Sequence, residues 1–213
     1  MPKPPITEEL TLKGPAGGLE ALLESPADTE PLGSALILHP HPEQGGTMQN
    51  KVVHTLARAF QHRGMRSLRF NFRGAGASDG EFDDAAGEYD DAIAAMRYLA
   101  ERWPDTPLWI AGFSFGAAIA IRVAAGQVVS GLVSVAPAVS RFVGKMEKQP
   151  ACPWLIVHGD KDEVVPVDDT VGWVNGLDPG PELQVFPGAG HFFHGRLVEL
   201  RESVDRFVAE HAD

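Results

Sequence analysis

A serine flanked by glycines is the strongest chemical signal in the sequence. Residues 112–116 read Gly-Phe-Ser-Phe-Gly, after the apolar stretch 107–111 and before the helix-compatible run 117–125. A strand–turn–helix context of this kind lifts the serine hydroxyl above the edge of a sheet, and the strained turn tolerates only glycine two residues to either side. The pattern predicts that Ser114 is a nucleophile and that the next residue, Phe115, offers its backbone N–H to an oxyanion.

A nucleophilic serine needs a base to take its proton, and the base needs a carboxylate that orients it. Ligands of open α/β sheets collect at the carboxyl ends of the strands, so the partners should follow later strands. Asp162 follows the apolar run 154–157, and His191 follows the run 183–186 and a glycine-rich loop. The chain order Ser114, Asp162, His191 is the nucleophile–acid–base order that accompanies such a turn.

Neighbouring residues compete for the acid and base positions. Asp160 lies two residues before Asp162, in a segment where a turn-forming or capping aspartate is equally suitable. His194 lies three residues after His191, on what we predict to be the final helix, where a surface role is the default. Because His191 directly follows the glycine-rich loop, its side chain can reach inward, and we take it as the base.

Alternating strands and helices must position these residues. The segments 52–60, 93–99 and 193–207 have apolar residues at helical spacing, and 10–12 with 19–23 predict a hairpin at the sheet edge. This alternation predicts an α/β fold, with a mostly parallel sheet covered by helices on both faces. The runs expected to form buried parallel strands are 35–38, 67–70, 108–111, 131–135, 154–157 and 183–186.

Length and composition set the frame for this fold. The 213 residues suit one domain spanning 1–213, and the segment 136–153 is too short for a cap domain, so we expect a site open to solvent. The net charge of −11 disfavours nucleic acid and anionic membrane surfaces as partners. A single cysteine, Cys152, predicted to be a buried inert thiol, and the lack of a long apolar segment at the start favour the cytoplasm.

Two further segments resemble a known superfamily. Residues 39–53 read His-Pro-His-Pro, then Gly-Gly-Thr-Met and Asn-Lys-Val-Val (HPHP…GGTMxNKVV), and residues 71–74 read Asn-Phe-Arg-Gly. With the serine turn, these segments resemble the α/β-hydrolase superfamily, in particular small bacterial serine hydrolases without a lid. The resemblance runs from the first proposed parallel strand to the final helix. It implies an esterase-like fold and triad, but it names no substrate.

The resemblance also bears on individual residues. Its members place the acid before a Val-Val-Pro-like run, which favours Asp162 because residues 164–166 follow it. It maps the second oxyanion donor to the backbone N–H of His41, in the loop after the first parallel strand. The flanking Pro40 and Pro42 have no N–H to give.

Other clusters of polar residues have weaker interpretations. His39 and His41 could begin a metal site with His158, Asp160 and Asp162, but the serine would then have no role, so we expect no metal and no cofactor. In the glycine-rich segment 73–80 the spacing differs from that of a phosphate loop, and the resemblance implies structural hydrogen bonds for Arg73 there. The acidic residues of 81–91 are expected to form a solvated face that leads into a helix.

Together these observations predict a serine hydrolase that acts on small carboxylic esters or thioesters through an acyl-enzyme on Ser114. A serine peptidase or amidase on the same fold is one alternative. A non-catalytic binding protein that retains the fold is another, because fold alone does not guarantee activity. The sequence leaves the oligomeric state open.

Overall fold

A computed structural model describes residues 4–144 and 146–212. Its strands are β1 (Ile6–Gly14), β2 (Gly17–Ser25), β3 (Ser34–Leu38), β4 (Arg66–Phe70), β5 (Leu108–Phe113), β6 (Gly131–Val135), β7 (Trp154–Gly159) and β8 (Glu182–Phe186). Its α-helices are α1 (Lys51–His62), α2 (Ala86–Arg102), α3 (Phe115–Gly126), α4 (Val139–Phe142), α5 (Val167–Val174) and α6 (Leu197–His211).

The strands form one sheet in the order β1-β2-β4-β3-β5-β6-β7-β8. The first two strands form an antiparallel hairpin at one edge, and β2 joins β4 in antiparallel register. All pairings from β4 through β3 to β8 are parallel. The predicted edge hairpin and mostly parallel sheet are therefore confirmed.

Helices on both faces explain why the parallel strands read as continuous apolar runs. Every residue of β3, β6 and β7 is buried. Helices α1 and α6 pack on one face around Trp109 and Phe207, and α2 and α3 pack on the other around Phe70 and Ile119. A strand buried on both sides loses the alternation seen in half-exposed strands, as expected for a doubly covered sheet.

The strand order places a crevice beside the centre of the sheet. From β3 the chain passes to β4 on one side, whereas β5 and the later strands lie on the other. In open α/β sheets, the loops after two such central strands diverge and leave a ligand-binding crevice at their carboxyl ends. The loop 39–50 follows β3 here, and the glycine-flanked serine follows β5. The fold thus brings both predicted halves of an oxyanion site to one edge.

The final helix begins later than its apolar spacing predicts. Phe193 has a left-handed backbone (φ 51°) and His194 lies in a turn, so α6 starts only at Leu197. Phe193 is nevertheless fully buried, with its ring 5.8 Å from that of Phe186. Phe193 therefore matches the helical period because it is a buried apolar residue of the preceding loop. The prediction that the final helix includes residues 193 and 194 is wrong.

The acidic segment leading into α2 is also not uniformly solvated, contrary to expectation. Asp91 is fully buried and accepts hydrogen bonds from Arg73 Nε (3.0 Å) and Nη2 (2.8 Å). Glu88 is fully buried and accepts the N–H groups of Asp83 and Ala85. Paired charges of this kind can be buried, and they fasten the turn containing Arg73 to α2.

Cys152 is less enclosed than the sequence suggests. It is half-buried and packs against the core beside the start of β7. Burial raises the pKa of its thiol to about 11, so the sulfur stays protonated at neutral pH and is a poor nucleophile.

Candidate active site

Ser114 sits in a strained turn between β5 and α3. Its backbone has φ 57° and ψ −114°, a conformation that side-chain-bearing residues rarely adopt. A Cβ at Gly112 would lie 2.3 Å from the carbonyl oxygen of Gly116, and a Cβ at Gly116 would lie 2.4 Å from that of His39. Both flanking positions therefore require glycine because backbone atoms occupy the space.

The three side chains predicted to act together lie in one hydrogen-bonded chain. His191 Nε2 is 3.1 Å from Ser114 Oγ, and His191 Nδ1 is 2.7 Å from Asp162 Oδ2. Ser114 comes from the turn after β5, Asp162 from the loop after β7, and His191 from the loop after β8. The ring of Phe113 lies 4.8 Å from the imidazole and Phe192 lies 5.0 Å away, which fixes the ring plane by packing.

The carboxylate of Asp162 is surrounded by hydrogen-bond donors. Its Oδ1 accepts the N–H groups of Val164 (2.9 Å) and Val165 (2.7 Å), and its Oδ2 faces His191. Burial opposes ionisation, but the hydrogen bonds from His158, His191 and the Val165 N–H outweigh it and hold the pKa of Asp162 well below its usual range. The carboxylate is therefore an anion at any pH at which an imidazole base works.

Two backbone N–H groups are available beside the serine. Phe115 is the first residue of α3, where an N–H has no acceptor within the helix. In the described part of the chain, the N–H of His41 also donates to no protein acceptor. The His41 carbonyl accepts from Gln44 (3.1 Å) and Gly46 (3.0 Å), which holds the loop in a single short turn of 3₁₀ helix.

A cavity of about 260 Å³ opens next to Ser114. Its walls include His41 and Phe115, together with Arg141 and Phe142 of the single-turn helix α4 in the segment after β6. Ser114 is just 8% exposed, so its hydroxyl lies in a cleft. The site is therefore less open to solvent than we predicted from the shortness of the segment 136–153. Two larger cavities of about 550 Å³ lie away from the carboxyl ends of the strands that carry the three side chains.

Comparisons with known proteins find chains with similar sequences and a similar fold. A family model described as serine aminopeptidase, S33 (Hydrolase_4) matches residues 44–148. Uncharacterized protein RP471 of Rickettsia prowazekii (strain Madrid E) is 31% identical over 211 residues, covering 94% of this chain and 88% of its own. The solved structure of an α/β serine hydrolase homologue from Coxiella burnetii is 47% identical with a TM-score of 0.90, covering 93% of this chain and 96% of its own. An α/β serine hydrolase without a lid from Xanthomonas campestris is 37% identical with the same TM-score of 0.90, covering 99% of this chain and 96% of its own.

The chain belongs to the α/β-hydrolase superfamily. It has the fold of a serine hydrolase, and the likeness to the lidless Xanthomonas structure agrees with the short segment between β6 and β7. No helix in the described residues of this hydrolase is both long and apolar enough to cross a membrane.

The competing acid and base residues of the hydrolase have other contacts. Asp160 accepts the N–H of Gly188 at 2.6 Å and so organises the turn after β8. His194 is exposed, and its ring lies 5.9 Å from that of Phe192, on the outer side of the loop that carries His191. The structure brings neither residue into contact with Ser114.

The two histidines of the loop after β3 have different surroundings, unlike a pair of metal ligands. His39 is fully buried; its Nε2 accepts the N–H of Phe72 (2.9 Å) and its Nδ1 donates to the carbonyl of Pro40 (2.6 Å). Burial lowers the pKa of His39 to about 4, so the ring is neutral and structural. The ring of His41 lies among Phe82, Phe115 and Phe142. Among the described residues no group of three or more acidic, histidine or cysteine side chains is arranged to hold a metal ion.

His158 is a residue of this site that the sequence did not single out, except as a metal candidate. It is fully buried at the end of β7, with Nε2 2.9 Å from the carbonyl oxygen of Val165 and 3.2 Å from Asp162 Oδ2. Because both neighbours are acceptors, Nε2 carries the proton. His158 thus directs an N–H at both the Asp162 carboxylate and the carbonyl of Val165 in the loop after β7. In the sequence, the only indication of a role was that His158 directly follows the apolar run 154–157. That position did not predict its contact with Asp162.

Proposed function

We propose that this protein hydrolyses carboxylic esters or thioesters through an acyl-enzyme formed on Ser114. The observation that carries the proposal is the unbroken chain from Ser114 Oγ to His191 (3.1 Å) and from His191 to Asp162 (2.7 Å). Those distances are within the range at which a base takes a proton from a hydroxyl and a carboxylate orients the base.

The proposed reaction has two halves. His191 Nε2 takes the proton of Ser114 as Oγ attacks the carbonyl carbon, and the imidazolium then protonates the departing alcohol or thiol. Water next enters, and its oxygen attacks the acyl carbon as His191 Nε2 takes one of its protons. The imidazolium then gives that proton to Ser114 Oγ as the bond from Oγ to the acyl carbon breaks, which releases the carboxylic acid and the free serine. Asp162 keeps the Nδ1 proton in place throughout and stabilises the imidazolium, because it remains ionised.

The negative charge that develops on the carbonyl oxygen has two proposed donors. These are the N–H of Phe115, at the positive end of α3, and the N–H of His41. The His41 carbonyl accepts hydrogen bonds from Gln44 and Gly46 of the same loop, and His39 accepts the N–H of Phe72. These contacts hold the loop, and with it the N–H of His41, in place before substrate binds. Preorganised donors of this kind cost no rearrangement during the reaction.

Features of the cleft support an ester over a peptide as the substrate. An aminopeptidase must accommodate the ammonium group of a peptide, which calls for a carboxylate near the nucleophile. Among the described residues that line the cavity, none carries a carboxylate, and Arg141 would repel an ammonium group. The volume of about 260 Å³ also suits a small acyl group better than a peptide chain.

The cellular setting is proposed on charge and cysteine content. A net charge of −11 supports small-molecule substrates over nucleic acid or anionic membranes. One cysteine, with no possible internal disulfide, suits a reducing compartment such as the cytoplasm.

The direct test of the proposal is replacement of the nucleophile. We expect Ser114→Ala to lower the turnover of para-nitrophenyl acetate by about 10³-fold or more, because the remaining groups cannot form the acyl-enzyme. A panel of matched ester, thioester and amide substrates, assayed with the wild-type enzyme, separates an esterase from an amidase. A loss smaller than about tenfold in Ser114→Ala would show that another group is the nucleophile.

A further inference from the structure

The cavity beside Ser114 contains a cation that the proposed mechanism does not use. Arg141, on the single-turn helix α4, is the only formally charged residue among the described residues that line this cavity. It is exposed and makes no ion pair with any carboxylate within the described ranges 4–144 and 146–212. In a chain with a net charge of −11, Arg141 places next to the nucleophile a cation that no described carboxylate pairs with, and its guanidinium suits an anionic ligand.

Packing holds this guanidinium at the mouth of the cleft. Its Cζ atom lies 4.8 Å from the ring centroid of Phe142, and the Phe142 ring in turn packs edge-on against Phe115 at 4.9 Å. A guanidinium stacked in this way keeps its N–H edge free for two parallel hydrogen bonds to a carboxylate. Phe115 is the residue directly after Ser114, so the stack connects Arg141 to the nucleophile through two rings.

A second feature of the same wall points to a bound polar molecule. His41 is only 7% exposed and both nitrogens of its ring are buried, yet neither ring nitrogen has a hydrogen-bond partner among the described residues. Burial and the nearby charge of Arg141 lower the pKa of His41, with smaller opposing effects of Glu43 and Asp84. The ring is therefore held neutral in the field of Arg141, and a buried polar group without a protein partner is ordinarily explained by a ligand or water.

We propose that Arg141 binds a carboxylate of the substrate, so that the preferred substrates are small esters or thioesters with a negative charge close to the scissile bond. This inference rests on the proposed function and adds the substrate class to it. The apolar walls formed by Phe142, Val164 and Val165 take the carbon skeleton, and the guanidinium takes the charge. The charge can belong to the acyl part or to the leaving group, and the two sources are separable by experiment.

Two pairs of esters that differ only in charge provide the test. In the first pair the charge is on the leaving group, with meta-acetoxybenzoate compared with meta-acetoxybenzamide. In the second it is on the acyl part, with the phenyl monoester of glutaric acid compared with the phenyl ester of glutaramic acid. The measured quantity is the preference, the ratio of kcat/KM for the charged member to kcat/KM for the neutral member.

We expect the wild-type enzyme to prefer the charged member of at least one pair. In Arg141→Gln that preference should fall by about tenfold or more, because a charge-assisted pair of hydrogen bonds is lost. Arg141→Lys, which keeps the charge but not the fork, should restore part of it. Arg97→Gln removes an exposed arginine from α2 and is the matched control, with the wild-type preference retained.

Labelling by a fluorophosphonate probe separates the two ways in which the test can fail. If Ser114 is labelled but Arg141→Gln has the wild-type preference, or if the wild-type enzyme prefers the charged member of neither pair, the inference about Arg141 is overturned. If the wild-type protein is neither labelled nor active on any of the four esters, the proposed function itself is contradicted.

Discussion

The two nitrogens of the His191 ring have different partners, and this difference places its proton. Nδ1 faces the ionised carboxylate of Asp162, which only accepts, whereas Nε2 faces the hydroxyl of Ser114. The neutral ring therefore carries its proton on Nδ1 and presents a lone pair to the serine. His158 contributes a further N–H to the same carboxylate, which leaves Asp162 oriented by donors from three directions.

A pair of substitutions at residue 41 separates the backbone N–H, the proposed oxyanion donor, from the imidazole ring of His41. His41 has φ −51°, which lies within the range that proline adopts, so His41→Pro deletes the N–H without forcing a new φ. We expect kcat to fall by about 10²-fold or more relative to His41→Ala, which also lacks the ring but keeps the N–H. Measuring kcat for both variants on one aryl ester checks this. Equal values of kcat would show that the His41 N–H does not bind the oxyanion.

At the scale of elements, the site depends on how closely α3 approaches the central strands. Gly116 packs against the carbonyl groups of Leu38 and His39 at the end of β3, and Gly112 packs against Gly116. This contact lets the helix begin directly after Ser114, with Phe115 as its first residue. A helix displaced by the width of a methyl group would move Ser114 together with the N–H of Phe115, which we propose as an oxyanion donor.

Substitution of glycines tests this contact. In Gly116→Ala the new Cβ would meet backbone oxygen at 2.4 Å, so we expect a loss of about 2 kcal/mol or more in the free energy of unfolding. Gly172→Ala is the matched control, because Gly172 lies in α5 with no atom within 4 Å of the added Cβ. That variant should gain about 0.5 to 1 kcal/mol from lower chain entropy and better helix propensity. Denaturant unfolding measures both, and equal shifts would contradict the close-packing argument.

The sequence predicted the elements better than it predicted their long-range pairings. The parallel strands were predicted because full burial made each one a continuous apolar run. Strand ends and chain order led to His191 and to Asp160 or Asp162, and the resemblance favoured Asp162 of the two. The burial of Asp91 was missed because its partner Arg73 is 18 residues away, and periodicity carries no information on such pairs. Phe193 was misplaced because a buried loop residue can coincide with a helical period.

At the scale of the whole molecule, one sheet edge collects parts from distant regions of the chain. The loop after β3, the turn after β5 and the loops after β7 and β8 meet there because all four strands are parallel. His39, at the start of the loop after β3, ties this loop to the segment after β4, because its Nε2 accepts the N–H of Phe72. The stability of the fold is therefore coupled to the protonation of the buried His39 ring.

This coupling predicts a pH dependence of folding. The pKa of His39 is about 4 in the folded protein against an ordinary value of 6.5, so the unfolded chain takes up the proton first as pH falls. The stability contributed by the neutral ring is fully present above about pH 7, and it declines as pH falls from 6.5 towards 4.

Between pH 7 and pH 4 we expect the free energy of unfolding of the wild type to fall by on the order of 3 kcal/mol relative to that of His39→Gln. Glutamine can still accept the Phe72 N–H, so the variant serves as the reference without a titrating ring. A difference that does not change between pH 7 and pH 4 would show that burial does not hold His39 neutral.

The most direct measurement of the central claim is the site of acylation during turnover. The wild-type enzyme is mixed with para-nitrophenyl acetate, quenched in acid within the first turnovers and digested, and the peptides are analysed by mass spectrometry. The account predicts one acetyl group on the peptide that contains Ser114, on its hydroxyl, and none in the Ser114→Ala variant. Hydrolysis that proceeds with no acetyl group on Ser114, or with the acetyl group on another residue, would contradict it.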